Sequence, residues 1–157
     1  MDLNKRYEEV VEFNTLIGNM TLVTEENLLS QARVVKEEAL ELFDAIQNKE
    51  PDENRLKELC DLLVVSFGML SQFKVLGYDV DSAFKLVNEN NMTKFCNSPT
   101  DATYTAIGYN ATEGNAAYTK KLADDKWGVF SIHGKLLKPI GYEKVSKEAL
   151  KAFCPII

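Results

Sequence analysis

The chain has 157 residues, 45% of them hydrophobic and 27% charged, which is the make-up of an ordinary globular domain with room for a sizeable core. A formal net charge of −6 excludes a broad electrostatic grip on nucleic acid or on an acidic lipid surface. An acidic protein that takes a phosphorylated ligand needs cations between the two sets of negative charge.

The opening "MDLNKRYEEV" lacks the apolar stretch of a signal peptide. The longest apolar run, "LLVVSFGML" from Leu62, is about half of the ~20 residues that a membrane span takes, so no membrane partner is expected. Cys60, Cys96 and Cys154 are an odd, scattered set without a CxxC, and read as reduced thiols of a cytoplasmic protein. His133 is the one histidine, which argues against a zinc site built from Cys and His.

A first helix is expected over residues 2–18, where Val10, Val11, Phe13, Leu16 and Ile17 recur at helical spacing and Gly18 suits a stop. A second begins after Thr24, an N-cap followed by acids in the first turn, and runs to about Gln47. Pro51 breaks the pattern in "NKEPDEN". A third helix follows from about Asn54 to Leu76, closed by Gly77, and a fourth from near Asp79 or Asp81 to near Phe95. The third has almost no polar side beyond its first turns, and a helix apolar all round must be covered all round. A second copy of the chain is the simplest cover, giving a homodimer or a dimer of dimers, and the alternative is a central helix wrapped within one monomer.

After Phe95 the chain turns rich in Thr, Tyr, Gly and Asn. Thr103–Tyr109 reads as a short helix; "AAYTKKL", "KWGVFSI" and "KLLKPI" read as short strands, with a tight turn at His133–Gly134. One or two helical turns are expected in "SKEALKAF". The fold class expected is mainly α, with a small α+β appendage. The division expected is a helical catalytic core at 1–95, an α+β insertion at 96–137 and a tail at 138–157.

The acids carry the chemistry. Glu38 and Glu41 lie three apart on one helix face, with Glu37 turned from them by about 100°. In the next helix Glu58 and Asp61 are also three apart, and a short turn makes the two helices neighbours, so the pairs can meet. Asp61 directly precedes the apolar run, where a bare carboxylate is costly unless paired or metal-bound. Oxygen donors without histidine suit a hard cation, Mg²⁺ or Mn²⁺, and the absence of Glu-x-x-His pairs excludes a ferritin-like di-iron site. The plainer alternative is that these acids are solvated helix surface. Asn91 and Lys94, three apart near the end of the fourth helix, offer an amide and an ammonium to phosphate oxygens, or simply suit a helix C-terminus.

"EEALEL", "ELCDLL", "NNMTKF" and "GKLLKPIGY", in that order, resemble the all-α nucleoside triphosphate pyrophosphohydrolases, the group of MazG, the dimeric dUTPases and phosphoribosyl-ATP pyrophosphohydrolase. The likeness is to the small MazG-like branch of bacteria and phages, and covers residues 7–95 and 134 to about 142. Its motif, Glu-x-x-Glu and then Glu-x-x-Asp, is matched by Glu38, Glu41, Glu58 and Asp61. The resemblance implies a four-helix bundle in an intertwined dimer, in the host cytoplasm if phage-encoded. It also implies hydrolysis of a (deoxy)nucleoside triphosphate to monophosphate and pyrophosphate. The four acids would hold Mg²⁺, with Mn²⁺ as a substitute, and Glu37 would be the general base. Asn91 and Lys94 would bind the phosphates, and Lys138 would add a charge from the tail. Asn14, which stands where this branch often has His, would meet the base or else make a backbone hydrogen bond or lie partly exposed, and Tyr142 would stack on the base. A phosphoribosyl-ATP or alarmone hydrolase of the same superfamily, and a catalytically idle helical dimer, are the alternatives.

Overall fold

The computed structural model describes residues 2–112 and 116–155; residues 1, 113–115 and 156–157, which belong to all three of the expected segments, lie outside that description. Its elements are α1 (Leu3–Leu16), α2 (Glu25–Gln47), α3 (Asp52–Val75), α4 (Val80–Met92), α5 (Pro99–Thr112), β1 (Ala117–Ala123), β2 (Lys126–Ser131), β3 (Leu136–Leu137) and α6 (Lys147–Lys151). They fall into two compact units, Met1–Val80 with Phe153–Ile157, and Asp81–Ala152.

The first unit is α1, α2 and α3, with α3 packed against both of the others. Asp2 caps α1 by accepting the Lys5 N–H at 3.2 Å. Thr24 and Asn27 cap α2 reciprocally: the Asn27 N–H bonds the Thr24 hydroxyl and the Thr24 N–H bonds the Asn27 amide oxygen. Between α2 and α3 the chain reverses in four residues. The Glu50 N–H reaches the Ala45 carbonyl at 3.0 Å, Lys49 takes φ +56°, and Pro51 forbids continuation of α2. Gly77 ends α3 at φ +88°, a conformation open to glycine at little cost.

The interior of this unit is small and partly polar. Val10, Asn14, Ala45, Gly68, Ser71 and Gln72 are buried. A Cβ on Gly68 would lie 3.2 Å from Gln31 Nε2 and 3.5 Å from Asn14 Nδ2, so glycine lets the three helices close at this level. Along α3, Leu56 is 61% exposed, Leu59 43% and Val64 45%, while Leu62, Leu63, Val65 and Phe67 are half-buried.

In the second unit α5 packs on one face of a three-stranded antiparallel sheet of order β1-β2-β3. Cys96, Ala102, Ala106 and Val129 form its core, with Ala117, Trp127 and Leu137 packed against them. The helix expected over Thr103–Tyr109 runs from Pro99 to Thr112. Ser98 and Asp101 set its start, because the Asp101 N–H bonds Ser98 Oγ at 3.1 Å and Pro99 stands in the first turn, where a missing N–H costs nothing. Of the strand expected in "KLLKPI" only Leu136–Leu137 pairs with β2, since Pro139 has no N–H to extend the ladder. Gly134, at φ +77°, completes the turn between β2 and β3. Among the described residues no single helix is long and apolar enough to cross a membrane.

Candidate metal centre

The reversal at Pro51 brings the two acid pairs together. Glu38 of α2 and Glu58 and Asp61 of α3 each offer a carboxylate oxygen, and these oxygens lie within 4.8 Å of one another. All three side chains are half-buried. Glu41 stands beside this trio without completing it: it is exposed, and its carboxyl titrates above the ordinary carboxylate value. The cause is chiefly the charge of Glu38, then desolvation, then the charge of Glu58 and a hydrogen bond to it, against which Lys57 works in the opposite sense. Crowded negative charge of this kind is what a bound cation relieves, and a set made only of carboxylates fits a hard divalent ion.

Sequence spacing pointed to Asp61 as the desolvated acid. Its side chain is 41% exposed, whereas that of Glu58 is 15% exposed, so Glu58 bears more of the burial. Spacing also missed Lys57. Its Nζ lies 2.8 Å from Asp61 Oδ2 and 3.1 and 3.2 Å from the two oxygens of Glu58. Those bonds, the one to Asp61 first, hold its ammonium well above the usual lysine range. The signal was present as an i,i+4 pair of Lys57 and Asp61. Glu37 and Asp44 are exposed on α2, outside the trio.

Asn14 is buried on α1, and its amide is engaged within the unit. Nδ2 donates to the Val10 carbonyl at 2.9 Å, and Oδ1 accepts from Asn19 at 3.3 Å. The remaining substrate candidates lie in the second unit. Lys94 donates to Asn91 Oδ1 at 2.7 Å, so the two expected partners on one face do meet. Tyr142 donates its hydroxyl to Asn90 Oδ1 at 2.7 Å, while Asn90 Nδ2 donates to the Glu143 carbonyl, which pins the tail to the end of α4. Lys138 Nζ stands 5.2 Å from the centre of the Tyr142 ring, a cation–π distance. Trp127 belongs to the core of this unit.

Compared with known proteins, residues 10–91, just over half of the chain, match the family model described as phosphoribosyl-ATP pyrophosphohydrolase. The match spans the four acids and Asn91. No curated protein and no solved structure matches the chain.

Proposed function

Since the chain belongs to the phosphoribosyl-ATP pyrophosphohydrolase family, and so to the all-α nucleotide pyrophosphohydrolases, we propose that it is a metal-dependent enzyme that cleaves a (deoxy)nucleoside triphosphate to monophosphate and pyrophosphate. The observation that carries this reading is the convergence of Glu38, Glu58 and Asp61 oxygens within 4.8 Å from two different helices. Mg²⁺ held there would neutralise the phosphate chain and acidify a coordinated water.

The residues divide the rest of the work. Glu38, Glu58 and Asp61 would hold the ion, and Glu41, whose carboxyl is raised chiefly by the charge of Glu38, would be a fourth ligand beside them. Glu37 neighbours Glu38 but faces off the ligand side of α2, and takes a proton from the attacking water. Asn91 and Lys94 offer an amide and an ammonium to phosphate oxygens, and Lys138 a further cation. Asn14, part of whose amide is engaged by Val10 and Asn19, would meet a base edge, and Tyr142 offers a ring to stack. The exposed apolar side chains of α3 support a homodimer as the working form.

A second reading, favoured by the description of the matching family, is that the triphosphate cleaved is phosphoribosyl-ATP. Pyrophosphate release in Mg²⁺, measured over the common nucleoside and deoxynucleoside triphosphates and phosphoribosyl-ATP, tests both. Turnover of a triphosphate that disappears in chelator supports the proposal, and its absence across the panel refutes it.

A further inference from the structure

The ammonium of Lys57 lies against two of the three carboxylates that would hold a divalent cation. Its Nζ is within 3.2 Å of both oxygens of Glu58 and 2.8 Å from Asp61 Oδ2. These are two of the three carboxylates whose oxygens converge within 4.8 Å. An N–H directed at a carboxylate lone pair uses the electrons that a metal ion would accept, and two cations within a few ångströms repel. Ammonium and metal therefore compete for Glu58 and Asp61.

We infer that Lys57 is the built-in counter-ion of the metal-free centre, neutralising Glu58 and Asp61 until a divalent ion displaces it. The inference rests on the metal reading given above and adds a residue outside the ligand set. Three features suit Lys57 to this exchange. Its position one turn before Asp61 on α3 lets the side chain reach both acids without distorting the helix. Its side chain is 62% exposed and ends a flexible four-carbon stem, so it can leave as easily as it arrives. The neighbouring cation on the same helix, Arg55, is held instead by Asp52 at 3.1 Å and does not substitute for it. Lys57 thus positions the acids before loading, and once displaced leaves a mobile cation beside them.

The test is calorimetric titration of Mg²⁺, without nucleotide, into the chelator-stripped full chain and its Lys57→Met and Lys57→Arg variants. Lys57→Met should bind Mg²⁺ about three- to tenfold more tightly than the unmodified chain, the scale of two exposed ion pairs. Lys57→Arg, which keeps the charge, should bind close to the unmodified chain. In chelator Lys57→Met should melt below the unmodified chain, and saturating Mg²⁺ should close the gap. If the unmodified chain binds Mg²⁺ and Lys57→Met binds it equally or less tightly, the counter-ion role is overturned while the metal centre stands. If neither takes up Mg²⁺, the metal reading falls and the counter-ion role with it.

Discussion

Glu38 of α2 and Asp61 of α3 place carboxylate oxygens within 4.8 Å of one another, with Glu58 completing the group. A cation held among three such carboxylates offsets their mutual repulsion. The pairing is made by the reversal at Lys49–Pro51, which turns two acid pairs on separate helices into one cluster.

Removing one charge from that group should cost activity without costing the fold. Asp61→Asn and Glu38→Gln are expected to lower pyrophosphate release by about a hundredfold or more, a scale typical of lost electrostatic and metal contacts. Far-UV circular dichroism should be unchanged, since both side chains are only half-buried. Near-normal rates in either variant would remove that residue from the ligand set.

Glu41 should behave differently from the trio. Its carboxyl holds a proton to higher pH than the ordinary 4.5, chiefly because Glu38 lies beside it. Between 4.5 and that raised value the folded chain binds more protons than the unfolded one, so stability falls as pH rises through the window. Above the window the metal-free protein carries the repulsion in full. Glu41→Gln should therefore melt at or above the unmodified chain in chelator at neutral pH. With Mg²⁺ the order should reverse, and extra metal should restore part of its lost activity. A variant less stable than the unmodified chain in chelator would show that Glu41 is held by something other than its repulsive neighbours.

The two adjacent acids Glu37 and Glu38 should separate by what they lose. Glu37→Gln is expected to bind Mg²⁺ and nucleotide almost normally and to turn over slowly, because a general base acts only as the transition state is approached. Glu38→Gln should lose metal affinity. Calorimetry beside steady-state kinetics distinguishes them, and loss of metal binding in Glu37→Gln instead would mean that the helix presents its other face.

Much of this was legible in the sequence because it was written in local chemistry. Thr24 with acids after it, Pro51, and the glycines at 18 and 77 marked helix ends that the structure places within a residue or two. The two acid pairs met because a short turn leaves adjacent helices little choice. Where the sequence reading fell short, the deciding contact was of another kind. The start of α5 lay in Ser98-Pro99-Thr100-Asp101, a capping signal within a stretch otherwise poor in helical periodicity. The small size of β3 depends on pairing with β2, which no local pattern reports. A single lysine next to a glutamate looks like ordinary helix surface, so the role of Lys57 shows only once its contacts with Glu58 and Asp61 are seen. Burial of Glu58 above Asp61 is a tertiary outcome that spacing along one helix does not encode.

Assembly offers a separate check. Leu56, Leu59 and Val64 are exposed on α3, and Val64 lines an apolar groove of about 270 Å³ with Leu63, Phe67, Val10 and Phe13. Size measurement at micromolar concentration should give a dimer or a multiple of it. Val64→Asp, which sets a charge in that apolar surface, should shift the protein toward monomer or lower its melting temperature. A stable, folded monomer of the unmodified chain would contradict the dimer.

The most direct measurement is the rate of pyrophosphate release from a panel of nucleoside triphosphates, deoxynucleoside triphosphates and phosphoribosyl-ATP, each with Mg²⁺ and with excess chelator. Release of pyrophosphate and the matching monophosphate is expected from at least one of them in Mg²⁺, falling to background in chelator and by about a hundredfold in Asp61→Asn. Equal turnover in chelator, or none from any triphosphate by a folded protein in Mg²⁺, would contradict it.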